Sequence, residues 1–159
     1  MDGSVLQAQV ATRVAVPADV PAIVAGIGEL LREIGGKPAA EELLRVAARE
    51  LIEDPQAGVV LVAQDGGEIV GVLGVSWQRA IRVPGRYGLI QELWVAPSHR
   101  RLQLGARLLE DLSALAREQG VGRLEVGLPG DRFAQRAATE SFYARNAFEP
   151  VGLRMRRLL

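Results

Sequence analysis

The chain has no cysteine and a single histidine, His99. The first absence removes disulfides, thiolate nucleophiles and zinc–cysteine sites. The second removes multi-histidine metal centres and leaves one base for any serine–histidine–acid arrangement, so no metal site is expected. Surplus charge is missing too, since 19 Lys and Arg balance 19 Asp and Glu. A sequence-independent nucleic-acid binder draws its affinity from excess cations against phosphate, which argues against nucleic acid as a partner. No apolar run reaches the roughly 18 residues of a spanning helix. The start, MDGSVLQAQVATR, has neither the basic opening nor the apolar centre of a signal peptide. These absences predict a cytoplasmic protein with no membrane partner. Internal repeats and low-complexity tracts are also lacking. What is present, 48% hydrophobic and 24% charged residues in a chain of 159, is ordinary globular composition. It predicts one domain over residues 1–159, with 1–10 a loosely ordered leading segment.

Turn signals divide the chain. Residues 11–16 read as a strand, and Pro17-Ala18-Asp19 opens a helix with Asp19 as N-cap and Pro21 in the first turn. Ile23, Ile27, Leu30, Leu31 and Ile34 form its apolar face, and Gly35-Gly36-Lys37-Pro38 stops it. A second helix is expected over 39–53, with Leu43, Leu44, Ala47, Leu51 and Ile52 buried. The apolar run 59–63, the hairpin signal Asp65-Gly66-Gly67 and the run 69–77 predict two antiparallel strands. A turn at Val83-Pro84-Gly85-Arg86 and a third strand over 87–95 follow. Leu104, Leu108, Leu109, Leu112 and Leu115 mark a helix over 104–119 that Gly120 ends. A strand at 124–128, a short helix at 135–146 and a last strand at 151–158 complete a β-α-α-β-β-β-α-β-α-β order. That order is an α/β class with a mixed, mostly antiparallel sheet flanked by about four helices.

The segment QELWVAPSHRRLQLGARLL, residues 91–109, is a strand ending at a proline, then a basic turn, then a leucine-rich helix. A helix N-terminus carries unpaired N–H groups and positive partial charge, and Arg100 and Arg101 add full charges there. The expected ligand is a phosphate or pyrophosphate; a solvated basic loop capping a surface helix is the bland reading. Glu92 is a carboxylate within an apolar strand, which predicts that it is either paired, for instance with an arginine of the neighbouring hairpin, or at work. Alternation puts Glu92 and Trp94 on one face, with Leu93 and Val95 on the other. Tyr143, in ESFYARNAF, fits either a core position or a working hydroxyl. His99 reads as an exposed loop residue, and Ser98 beside it has no acid in the sequence to orient a base. Arg154, Arg156 and Arg157 read as solvent-facing strand residues.

With these residues in place, the segment resembles the acyl-CoA loop of the GNAT N-acetyltransferases, whose pattern is Arg/Gln-x-x-Gly-x-Gly/Ala. Arg100, Leu104 and Gly105 match, as do Val95 and Pro97 upstream; Gln103 stands where that family has its first glycine. The element order agrees over residues 11–159. The resemblance implies the GNAT fold and acetyl-CoA as cosubstrate. It implies a strand that ends at a bulge before Pro97 and splays from the next, holding the pantetheine arm through the main chain of Leu93, Trp94 and Val95. The pyrophosphate would be cradled by Arg100, Arg101, Leu102, Gln103, Leu104, Gly105 and Ala106. Gln103 is expected in the helical first turn, where it keeps its N–H. ESFYARNAF resembles the family's Phe-Tyr-x-x-x-Gly-Phe, which implies that Tyr143 is the acid for the leaving thiolate, with Asn146 supplying the left-handed cap that the glycine, here Ala147, would supply. Glu92 is then the base for the amine, directly or through water.

Ile90-Gln91-Glu92-Leu93 and the hairpin VGVLGVSWQ also resemble the aminoalkylphosphonate N-acetyltransferase branch. An anionic acceptor of that kind would need cations, for which Arg79, Arg82 and Arg86 are the candidates against a plain surface reading. Trp77 and Tyr87 fit either a wall of the acceptor site beside Glu92 or the core. The expected activity is direct transfer of acetyl to a primary amine of a small molecule. Acetylation of a protein N-terminus or lysine, and a non-enzymatic acyl-CoA-binding module, are the alternatives. Self-association as a homodimer is left open.

Overall fold

A computed structural model describes residues 9–159. Residues 1–8 of the expected loose leading segment lie outside the described residues; Val10 is instead buried and opens the first strand. The strands are β1 (Val10–Val14), β2 (Gly58–Asp65), β3 (Glu68–Ala80), β4 (Val83–Val95) and β5 (Leu124–Val126). The helices are α1 (Val20–Glu33), α2 (Glu41–Glu53), α3 (Leu104–Glu118) and α4 (Arg136–Arg145). The five strands form one sheet in the order β1-β2-β3-β4-β5, antiparallel except for the parallel β4–β5 pair. The expected α/β class, mixed sheet and four flanking helices are all present.

Each face of the sheet buries its own core, because successive strand residues point to opposite sides. On one face Leu61, Leu73, Val75, Trp77 and Ile90 pack with Leu104, Leu108 and Leu112 of α3 and with Tyr143 of α4. On the other, Val60, Val62, Val72 and Trp94 pack with Ile23 and Ile27 of α1 and Leu51 and Ile52 of α2. The α1 face is close-fitting: a Cβ at Gly26 would lie 2.6 Å from the Trp94 ring. Helix α3 also reaches across to β1, where Arg107 donates to the Val10 carbonyl (2.7 Å) and Thr12 donates to Asp111. Among the described residues no helix is long and apolar enough to cross a membrane.

Several expectations change. Asp19 precedes α1 but does not cap it: its carboxylate accepts from the Val16 N–H (2.8 Å) and from both arms of Arg13 (2.7 and 2.9 Å). The Arg13 bonds hold the Asp19 carboxyl below the usual carboxylate range. In α2, Leu43 and Ala47 are exposed, and Leu44, Ala48, Leu51 and Ile52 form the half-buried stripe. The β3–β4 reversal falls at Ile81 and Arg82, with Ala80 paired to Val83. Pro84 and Gly85 are therefore extra residues in the start of β4; there the missing proline N–H and a glycine φ of 83° are tolerated as a bulge. The last strand does not form. Residues 151–158 alternate as a strand would, but a strand exists only with a hydrogen-bonded neighbour, and Leu153 and Met155 stay exposed.

Candidate active site

The site is organised by an irregularity in β4. Val75 pairs with Ile90 but Gly74 pairs with Glu92, so Gln91 is an extra residue. The bulge lies here and not before Pro97. Its consequence follows from the pleat: Ile90 turns into the α3-side core, while Glu92, Trp94 and their partners Gly74 and Val72 share the α1–α2 side. Without the extra residue Ile90 and Glu92 would share a face. The predicted grouping of Glu92 with Trp94, against Leu93 and Val95, is present.

Glu92 needs room, and Gly74 supplies it. A Cβ at Gly74 would sit 2.4 Å from the Glu92 carboxylate. The carboxyl is half-buried and takes no hydrogen bond or ion pair among the described residues, so the alternative of a structural salt bridge is not met. Burial without compensating charge pushes its pKa up to about 7. Two residues along on the same face, the Trp94 indole N–H is buried with no acceptor among the described residues.

The other edge of β4 is open at this point. Parallel pairing with β5 covers only Gly88, Leu89 and Ile90 and stops at Val126, so the strands part there, as the splay required. Beyond Ile90 the β5-side backbone of β4 has no ladder partner, and the Val95 carbonyl there accepts from Arg100 Nε (3.0 Å). On the α3–α4 side of the sheet Tyr143 is buried, packed edge-on against Phe142 and Phe148 (ring centroids 5.1 and 5.3 Å apart). Burial raises the Tyr143 pKa to about 12, so its hydroxyl keeps its proton at neutral pH.

Below the gap stands the N-terminus of α3, and here the expectations divide. Gln103 has φ 57° and ψ 24°, the left-handed region, and not the helical first turn. Ala147 likewise holds φ 67°, while Asn146 stays at −100°. Both residues that replace family glycines thus occupy glycine backbone conformations. Gly105 is needed for a different reason, since its Cβ would stand 3.0 Å from the Phe142 ring. It lets α4 lie against the start of α3. Arg100 is exposed but engaged: Nε donates to the Val95 carbonyl (3.0 Å) and a terminal nitrogen pairs with Glu33 of α1. Leu102 spends its N–H on the His99 carbonyl (3.2 Å). The first-turn N–H groups of Leu104, Gly105 and Ala106 keep the anion-binding character of any helix start, beside the exposed Arg101.

His99 is not an exposed loop residue. Its Nε2 lies 2.9 Å from Asp65 of the β2–β3 hairpin and its Nδ1 2.8 Å from the Ser98 hydroxyl. The acid that the sequence did not reveal is therefore Asp65, which fixes the turn before α3 to that hairpin.

The remaining acceptor-site candidates are not gathered with Glu92. Trp77 belongs to the α3-side core, on the opposite face. Arg86 lies over the Trp77 ring (5.8 Å) and Arg82 over Tyr87 (5.7 Å), with Arg82 also 3.6 Å from Glu125. Arg79 is exposed, five residues along β3 from Gly74, or about 17 Å at the usual strand rise. Sequence reasoning missed Ser76, which accepts from the amides of Gln78 (2.9 Å) and Gln91 (2.7 Å) on the face that carries Glu92. Only the β4 bulge brings Gln91 there. Among the described residues there is no group of 3 or more His, Asp or Glu placed to hold a metal.

The acetyltransferase (GNAT) family model matches residues 25–148, and the chain belongs to that family. A putative acetyltransferase from Arthrobacter sp. FB24 is 27% identical, with TM-score 0.76, over 94% of this chain and 96% of that one. Two others share the fold at lower identity. A predicted acetyltransferase from Clostridium acetobutylicum, solved with acetyl-CoA, is 15% identical with TM-score 0.78 over 94% and 96%. Glucosamine-6-phosphate N-acetyltransferase from Arabidopsis thaliana is 17% identical with TM-score 0.74 over 94% and 97%. No curated protein matches the chain.

Proposed function

We propose that this chain transfers the acetyl group of acetyl-CoA to a primary amine of a small molecule, directly between the two bound substrates. The observation that carries the reading is Glu92: a half-buried, unpartnered carboxyl at the open edge of β4, with its pKa raised to about 7. A carboxyl so tuned can take a proton from an ammonium near neutral pH, where an ordinary glutamate is too weak a base. The thioester supplies the activated acyl group and the thiolate that departs. Glu92 takes the amine's proton, directly or through water, and frees the lone pair that attacks the carbonyl. Tyr143 gives its proton to the departing sulfur, so a thiol leaves and an amide is formed. The backbone of Leu93, Trp94 and Val95 holds the cosubstrate arm, and Arg101 with the first turn of α3 holds its phosphates. The absence of cysteine supports direct transfer over a thioester-linked enzyme intermediate. The Arabidopsis neighbour's named substrate, an amino-sugar phosphate, supports a small-molecule acceptor.

The test is thiol release from acetyl-CoA against a panel of amines. N-acetyl product appearing in step with free thiol is expected. Tight acetyl-CoA binding with no release for any amine would replace this reading with a non-enzymatic acyl-CoA-binding module.

A further inference from the structure

Beside Glu92, on the α1–α2 side of the sheet, lies a row of uncharged polar groups that the transfer chemistry does not use. Gly74 pairs with Glu92, and Ser76 is the next residue of β3 on that face, about 7 Å further along. Its Oγ accepts from the Gln78 amide (2.9 Å) and the Gln91 amide (2.7 Å). A hydroxyl that accepts two N–H bonds has one hydrogen left to give, and no acceptor among the described residues takes it. The two glutamine carbonyl oxygens are likewise without partners among the described residues. The row therefore offers one donor and two acceptors at fixed spacing. Exposure increases along it: Trp94 is buried, Glu92, Ser76 and Gln78 are half-buried, and Gln91 is exposed. It runs from the proposed acetylation point outward.

We infer that Ser76, Gln78 and Gln91 recognise hydroxyl groups on the acceptor, and that the acceptor is a polyhydroxylated amine of the amino-sugar class that carries no anionic group. This rests on the function proposed above. Hydroxyl groups both donate and accept, which matches a row holding both kinds of group; a phosphonate or carboxylate would need cations, and residues 74–78 contain none. An alkyl amine has nothing to offer these groups, which would stay bonded to water and add nothing to its binding. The register makes the row possible. The extra residue at Gln91 brings its amide to Ser76 while leaving Glu92 over Gly74.

The experiment compares glucosamine with cyclohexylamine, a ring of similar size without hydroxyls, for wild type, Ser76→Ala and Ser76→Thr. Using the variant-to-wild-type ratio for each amine cancels their different basicities. Ser76→Ala is expected to lower kcat/KM for glucosamine about tenfold, mainly through KM, and to leave cyclohexylamine within about twofold. Ser76→Thr, which keeps a hydroxyl, is expected to recover most of the loss. A cooperative thermal transition at the wild-type midpoint shows that each variant is folded. Equal losses for both amines, no loss for glucosamine, or turnover of cyclohexylamine or another amine of the panel without turnover of glucosamine would overturn the inference and leave the acetyltransferase reading standing. No transfer to any amine of the panel by wild type would overturn both.

Discussion

Gln103 and Ala147 hold φ of 57° and 67°, a region that costs an L-residue about 1 kcal/mol or more through contact between Cβ and the following carbonyl. Glycine has no Cβ, and its greater freedom in the unfolded chain offsets part of the gain. Gln103→Gly and Ala147→Gly are each expected to raise stability by about 0.5–1 kcal/mol, read from urea midpoints at unchanged m. Glu92 acts in the opposite sense. Its carboxyl holds a proton more tightly folded than unfolded, from an ordinary 4.5 to about 7. Between those values the folded chain binds more protons, so stability falls as pH rises through that window and stays low above it. The penalty is about 3 kcal/mol at most. Glu92→Gln, which buries no charge, is expected to flatten that slope and to be the more stable protein at pH above about 7. A denaturation series from acid to alkaline pH checks it.

At the scale of elements, the start of α3 does two jobs with different residues. Gly105 admits the Phe142 ring, so Gly105→Ala is expected to push α4 outward at a cost of about 1–3 kcal/mol and to lower turnover through the displaced Tyr143. Trimming the ring, as in Phe142→Leu, should recover part of the stability in the double variant. Charge is divided similarly. Arg100 is tied to Val95 and Glu33, whereas Arg101, equally exposed, has no ion pair among the described residues. Arg101→Ala is expected to weaken acetyl-CoA binding more at low than at high salt, measured by calorimetric titration across ionic strengths. Arg100→Ala should show a smaller salt dependence.

The same elements show what could be read in advance. Helix α3, the β2–β3 hairpin and the Glu92–Trp94 face were legible because period and turn chemistry are local. The reversal at Ile81–Arg82 was not, because Pro84-Gly85 is as good a turn signal as a bulge signal. Nor was the Gln103 conformation, since its side chain carries no mark of a left-handed backbone. Residues 151–158 have a strand's alternation, but pairing is a property of the whole sheet. Asp65 and His99 are separated by the whole of β3 and β4, so their contact needs the hairpin and the loop placed together.

At the scale of the molecule, the sheet separates two apolar faces, and the two groups proposed to handle protons come from opposite sides of it. Glu92 comes from the α1–α2 side and Tyr143 from the α3–α4 side. Division of labour follows. Tyr143→Phe is expected to lower kcat while leaving acetyl-CoA affinity nearly unchanged, because it removes a hydroxyl and no packing volume. The central claim is that Glu92 is the base, and the pH profile of kcat/KM for the amine tests it most directly. In wild type, activity is expected to rise with pH through an apparent pKa near 7. Glu92→Gln should remove that limb and cut turnover at neutral pH by about 10²–10⁴, with the defect shrinking as the amine itself deprotonates. A Glu92→Gln protein with an unaltered limb near neutral pH, and only a raised KM, would contradict the account and leave Glu92 as a group that merely holds the ammonium.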